Sequence, residues 1–355
     1  MQIKLSDLCN ITMGQSPKSI YYNKSKIGTP FMQGCTTFGR IYPSIDTWTT
    51  IYNKSADSND ILFTVRAPVG DINIALTKIA IGRGLAALKP TSVSTKYLYY
   101  LLLSNRDLFT NNSSGTVYDS INKSALENIT LNIHSKNQQL LIVDIIGSLD
   151  DKIENNNKIV EKMNNLLNVK TNELLLYKTK KIQLNDIIEE CKEKAEIELV
   201  PYSVINTGKV IIQNEQFNKE IAKNTKGKYK KIKKDYFVYN PSRINIGSIG
   251  VMEDKIGCVS PIYVVFKCIE EYKIYLQQLL TFDSMIKEIN KRCSGSVRQA
   301  LSFNDLCSIE IYDIEEEKLK IYNKYCDNII RITKKLEQEN KLLENQKKLY
   351  LAKFF

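Results

Sequence analysis

The chain has 355 residues, enough for two domains that each bury a core of their own. Its 43% hydrophobic and 25% charged residues are those of a globular protein, and a formal net charge of +11 suits a polyanionic partner, although lysine enrichment runs through the whole chain. Eight scattered cysteines with no C-x-x-C pair, beside the single histidine His134, exclude the usual zinc ligand sets and His-based catalysis and fit a reducing cytoplasm.

Residues 1–7 lack an apolar h-region, and no stretch is apolar and long enough to span a bilayer, so neither a secretory signal nor a membrane segment is expected. Residues 1–135 read as a mixed α/β domain. Residues 61–65 and 72–76 are strand-like, 97–109 are apolar enough for a buried helix, and 129–133 alternate as a strand. A long helix is expected over 136–179, roughly 60 Å at 1.5 Å per residue. Ile142, Ile146, Leu149, Ile153, Val160, Met163, Leu167, Leu174 and Tyr177 keep heptad spacing, interrupted at Asn156 and Lys170. Residues 180–313 repeat the α/β plan, with strands at 235–239, 257–267 and 308–312 and a helix at 274–280. A second long helix over 314–355 carries the seam Tyr322, Cys326, Ile329, Thr333, Leu336, Asn340, Leu343, Lys347, Tyr350 and Phe354.

The chain is one module written twice. Gly115-Thr116-Val117 matches Gly295-Ser296-Val297, Leu126 matches Leu306 and Ile129 matches Ile309, all at an offset of 180. Each long apolar stripe must be buried, and each helix is the partner for the other, antiparallel by connectivity. The expected fold is α+β, with two α/β domains separated by two long antiparallel helices in a coiled coil and an internal pseudo-two-fold duplication. An Asn at a seam position lowers stability but fixes register, and Asn156 and Asn340 are read that way.

No phosphate loop or dinucleotide fingerprint occurs. Asn240-Pro241-Ser242-Arg243 lacks the second proline and the aromatic of an amino-methyltransferase motif. Glu190-Cys191-Lys192 lacks the upstream Pro-Asp of a nuclease site and reads as an exposed turn. Gly82-Arg83-Gly84 reads as a strand-end turn, and His134 as a turn or cap residue. No catalytic residue, metal or cofactor is assigned.

Three kinds of segment suit nucleic acid. The polar loops of the first copy offer Gln15, Ser16, Lys18, Gln33, Thr36, Thr37 and Arg40, whose side chains match base edges and phosphates. Residues 218–234 hold eight lysines, of which Lys226, Lys228 and Lys230 are taken as phosphate contacts. The repeated loops before the last strand of each domain offer Asn112, Ser114, Thr116 and Tyr118 in one copy. In the other they offer Arg292, Ser294, Ser296, Arg298 and Gln299.

The ordered set resembles the DNA-specificity subunits of type I restriction-modification systems. Gly14-Gln15-Ser16-Pro17 is similar to that family's Gly-x-(Ser/Thr)-Pro opening. Asn59-Asp60-Ile61-Leu62, with Asn59 in place of Gly, is similar to its G-D-I-L strand, followed by the Ala67-Pro68-Val69-Gly70 turn. Phe237-Val238-Tyr239-Asn240-Pro241-Ser242-Arg243, then Gly247-Ser248-Ile249-Gly250 and Val259-Ser260-Pro261-Ile262-Tyr263, match a recurrent target-recognition pattern. Arg66 and Arg243, at the strand-end turns of these patterns, join the candidate DNA contacts. The resemblance implies a non-catalytic cytoplasmic subunit with two target-recognition domains, each reading half of a split, asymmetric site in double-stranded DNA. It also implies helices that dock two methyltransferase subunits, and motor-nuclease restriction subunits in the restricting form. A coiled-coil adaptor whose α/β domains bind proteins would explain the duplication as well, and a nuclease using Glu190 and Lys192 is a third reading.

Overall fold

The computed structural model describes residues 1–111, 120–213, 225–293 and 300–355. Contacts divide the chain into two compact units, Met1–Asn156 with Gln338–Phe355, and Asn157–Glu337.

In the first unit the apolar run Ile61–Thr64 is buried at every position. A strand with no exposed face needs a cover on each side, and alternate residues find different covers. Ile61 and Phe63, with Ala86 and Leu88, face a cluster containing Leu98 and Leu101 of the helix Thr95–Ser104. Leu62, Leu85 and Ala87 face the opposite cluster with Met32, Ile79 and Ile81. The unit is therefore layered. A central antiparallel sheet runs in the order Cys9–Met13, Leu85–Pro90, Ile61–Thr64, Ile72–Ile74. A second sheet has the order Tyr22–Asn23, Trp48–Thr49, Thr29–Met32, Ile79–Ile81, Ser55–Ala56, with one parallel pair, Thr29–Met32 beside Ile79–Ile81. A two-stranded ribbon, Gln2–Lys4 with Thr130–Asn132, precedes the first long helix, Lys136–Leu174.

The second unit repeats this plan. Its central sheet is ordered Ile188–Glu190, Val264–Cys268, Phe237–Tyr239, Ile249–Val251, again antiparallel. Its second sheet is ordered Val210–Ile212, Pro201–Val204, Ile256–Val259, Lys230–Lys233, and its parallel pair is again one of these neighbours, Pro201–Val204 with Ile256–Val259. A ribbon, Lys178–Gln183 with Glu310–Ile314, precedes the closing helix, Glu316–Phe354. The fold is α+β and internally duplicated in its strand order as well as its sequence.

Both units contain antiparallel helix pairing. In the first, Asp150 meets Lys347 and Asn156 meets Asn340, so rising numbers on one helix meet falling numbers on the other. In the second, Thr171 meets Tyr322 and the Lys170 ammonium lies over the Tyr325 ring. Asn156 Nδ2 donates to Asn340 Oδ1 and to Glu339 Oε2, each at 2.9 Å, so the two seam asparagines satisfy each other. Ser135 and Gln138 form a reciprocal cap at the start of the first long helix, the Ser135 N–H donating to Gln138 Oε1 at 3.1 Å.

Several expected boundaries move. The first long helix ends at Leu174, not Thr179, because Lys178–Gln183 pairs as a strand. The helix expected over 97–109 breaks at Asn105 into Thr95–Ser104 and Arg106–Asn111. The strand expected over 257–267 is two strands, Ile256–Val259 and Val264–Cys268, split by a turn at Ser260-Pro261 so that each joins a different sheet. Among the described residues no helix is long and apolar enough to cross a membrane.

Asn59 has φ +69°, and Asp235 stands before the matching strand of the other unit with φ +67°. Both residue types tolerate the left-handed region, and β-branched ones do not. Asn59→Gly should leave stability unchanged or slightly raised, whereas Asn59→Val should lower it by about 1–2 kcal/mol, as measured by urea unfolding.

Candidate nucleic-acid interface

Three backbone segments of the first unit cross at close range. The Gly14 N–H donates to the Leu85 carbonyl and the Gln15 N–H to the Ile81 carbonyl, both at 2.9 Å. The Gly82 N–H donates to the Met32 carbonyl at 2.8 Å, and the Gly84 N–H to the Gln33 carbonyl at 3.1 Å. Glycine is needed here because a Cβ on Gly14 would stand 2.1 Å from the Gly82 carbonyl oxygen.

The crossing gathers side chains that are apart in sequence. Ser16 Oγ accepts from the Arg83 N–H at 3.0 Å and donates to Gln33 Oε1 at 2.9 Å. The amide nitrogen of Gln33 therefore turns away from Ser16. Gln15, Gln33 and Arg83 are exposed around this knot. A glutamine amide and a guanidinium can each make paired hydrogen bonds to a purine edge. Arg83 was not among the expected contacts; its flanking glycines, which admit the close crossing and display the side chain between them, were the available signal. Lys18 and Thr36 are also exposed, and Thr37 is half-buried, its carbonyl accepting from the Ser44 N–H at 2.9 Å. Arg66 is exposed and its backbone bridges to Ser120.

In the second unit, Lys226 and Lys228 are exposed on a turn that follows the buried Thr225. The Thr225 hydroxyl and N–H donate to Glu198 Oε2 at 2.7 and 2.9 Å and hold that carboxyl below its ordinary range. The rest of the lysine-rich stretch is less available. Residues Lys230–Lys233 form a strand; Lys230 Nζ donates to the Tyr263 carbonyl at 2.7 Å, and burial lowers its pKa. Lys231 and Lys233 both pair with Glu193, at 2.5 and 3.0 Å. Arg243 is exposed on a turn closed by its N–H donating to the Asn240 carbonyl at 3.0 Å.

Two expected arginines are employed within the chain. Arg40 is held by Asp150, and Arg292 by Glu288 at 2.6 Å with Ser308 at 3.2 Å. Asn112, Ser114, Thr116, Tyr118, Ser294, Ser296, Arg298 and Gln299, like Lys219 and Lys223, lie outside the described residues. Glu190 pairs with Lys192 at 2.9 Å. His134 ties three elements together. Its Nε2 donates to the Phe354 carbonyl at 2.9 Å, which leaves Nδ1 to accept from Tyr97 Oη at 2.9 Å, while Tyr97 Oη accepts from the His134 N–H at 3.0 Å. No group of three or more His, Cys, Asp or Glu side chains suited to a metal ion occurs among the described residues.

The profile of the type I restriction modification DNA specificity domain matches residues 1–165. This segment is similar to that family's domain. The matched segment carries the Gln15, Ser16, Gln33 and Arg83 knot and most of the first long helix. The chain is similar to a protein of Methanocaldococcus jannaschii named as the type I restriction enzyme MjaX specificity subunit, 40% identical over 155 residues. The type I restriction enzyme MjaIX specificity subunit of the same organism is 30% identical over 109 residues. These alignments span 43% and 29% of this chain but only 36% and 25% of the relatives' own lengths. A crystal structure of a type I restriction-modification S subunit from M. genitalium is similar in fold along the whole chain, with a TM-score of 0.65 and 16% identity, covering 100% of this chain and 96% of that one. The fold likeness therefore continues past the specificity domain into the second copy.

Proposed function

We propose that the chain is the DNA-specificity subunit of a type I restriction-modification complex. Residues 1–135 and 180–313 act as two target-recognition domains, and the helices of 136–179 and 314–355 act as the spacer between the halves of a bipartite, asymmetric DNA site. The observation that carries this reading is the duplicated strand order in a chain whose first copy is a specificity domain. Two copies of one frame suit two half-sites, and unlike loops on that frame suit half-sites of unlike sequence.

In this reading the subunit performs no covalent chemistry. It docks two methyltransferase subunits, which flip and modify the base in their own pocket, and motor-nuclease subunits in the restricting form, in the cytoplasm. Gln15, Ser16, Gln33 and Arg83 read bases in one half-site, with Lys18, Thr36 and Arg66 beside them. Lys226 and Lys228 hold phosphates in the other, near Arg243. Phosphate contacts of this kind make affinity fall steeply with salt.

Genome-wide mapping of methylated bases, with and without this gene, tests the proposal. One bipartite asymmetric motif should lose its methylation when the gene is deleted. Persistence of every methylated motif in the deletion strain would sink it.

A further inference from the structure

The loop that carries Gln33, Thr36 and Thr37 ends at Arg40, and Arg40 is fastened to the first long helix. Arg40 Nη1 donates to Asp150 Oδ1 at 2.5 Å and Nη2 donates to the Asp150 carbonyl at 2.9 Å. The Asp150 carboxylate is itself immobilised. Tyr100 Oη donates to Oδ2 at 2.7 Å, and Lys347 Nζ donates to both oxygens at 2.8 and 3.1 Å. The loop backbone is pinned at the same place. Tyr99 Oη donates to the Arg40 carbonyl at 3.0 Å, and the Asn73 amide meets both the N–H and the carbonyl of Gly39 at 3.0 Å. The other end of the loop is set by the Gly82 and Gly84 crossing.

Among the described residues this anchor occurs in one copy alone. At the repeat offset of 180, Asp150 corresponds to Ile330 and Lys347 to Leu167. A guanidinium held by a carboxylate and a carbonyl is fixed in both distance and plane. Reading a base edge demands placement to better than about 1 Å, whereas phosphate attraction tolerates slack.

We infer that Asp150, acting through Arg40, is a positioning residue that places the 33–40 loop, so that base discrimination in one half of the DNA site depends on a residue of the spacer helix. The inference rests on the DNA-reading function proposed above. Arg40 then contributes as an anchor, not as a reader of bases.

Methylated sites are mapped in strains whose only copy of the gene carries Arg40→Gln, Arg40→Lys, Asp150→Asn or Arg40→Gln with Asp150→Asn, with chain abundance followed by immunoblot. Arg40→Gln leaves the buried Asp150–Lys347 pair in place, so it carries the test if Asp150→Asn lowers abundance. Methylation of sites mismatched in one half should rise about tenfold in Arg40→Gln, with the other half unchanged. Asp150→Asn, if the chain accumulates, should relax the same half. The double variant should be no worse than Arg40→Gln, and Arg40→Lys, which can still reach the carboxylate, should recover part of the discrimination. Relaxation at a single base position by Arg40→Gln, with none from Asp150→Asn at normal abundance, would make Arg40 a direct reader and overturn the inference. An unchanged motif in Arg40→Gln, equal relaxation of both halves, or loss of all methylation at normal abundance would overturn it as well. A deletion strain that keeps every methylated motif would instead refute the parent proposal, and the two failures are thereby told apart.

Discussion

Asp150→Ala should destabilise the first unit by about 3–5 kcal/mol, because it strands a buried ammonium. Asp150 is 2% exposed and Lys347 5% exposed, so neither charge recovers its lost partner from water. Tyr100 Oη would lose its acceptor as well. Lys347→Ala should cost less, because Asp150 keeps Arg40 and Tyr100, and the two losses should not add, since both variants remove the Asp150–Lys347 contact. Asp150→Leu combined with Lys347→Met should recover part of the loss, because the buried ion pair is exchanged for apolar groups of similar volume while Arg40 and Tyr100 still lack the carboxylate. Trp48 is the single tryptophan of the chain and lies in the first unit, so its fluorescence during urea unfolding reports this unit. A loss below about 1 kcal/mol in Asp150→Ala would show that the pair is well solvated or dispensable.

Gly14→Ala should cost about 3 kcal/mol, at the upper end of what one added methyl group does in a packed site. The new Cβ would lie 2.1 Å from the Gly82 carbonyl oxygen and 2.7 Å from the Leu85 carbonyl oxygen, both backbone atoms that no rotamer change can move aside. The Leu85 oxygen also accepts the Gly14 N–H, so retreat of the chain would break that bond. Ser16 would then leave Gln33 and Arg83, and specific DNA binding should weaken with stability. Gly34→Ala is the control, since nothing lies within 4 Å of a Cβ there; it should stay within about 0.5 kcal/mol of the parent. Equal stabilities of the two variants would contradict the close crossing.

Much of the fold was legible in the residues. The run at 61–65 announced a strand, found as Ile61–Thr64, and the seam positions Ile142, Ile146, Ile153 and Leu167 are all buried. The seam asparagines pair with each other, as a register device should. Other features escaped because periodicity reports a face without naming what covers it. Asp150 and Thr171 sit beside the apolar seam and add nothing to its apolar pattern, yet both are buried. Asp150 is satisfied by Arg40 and Lys347, and Thr171 by Tyr322 Oη at 2.8 Å and the Leu167 carbonyl. Arg40, Lys347 and Tyr322 are 110, 197 and 151 residues away from the groups they satisfy, out of reach of any local pattern.

The candidate interface divides in the same way. Exposed, flexible cations such as Lys18, Lys226 and Lys228 could be anticipated from composition and turn chemistry. The employment of Arg40 and Arg292 could not, because whether an arginine faces solvent or an internal carboxylate depends on which segments the sheets bring alongside it. Arg83 entered the site for that reason too, since its neighbourhood with Ser16 exists only once the Gly82 turn crosses the Gly14 strand end.

The sequence by itself determined the duplication, the apolar strands and the two heptad seams, because these depend on residue type at short and regular spacing. The tertiary structure alone decided which polar side chains became anchors and which remained displayed. A buried charge is tolerable only beside its partner, and that partner is supplied by the packing of distant segments.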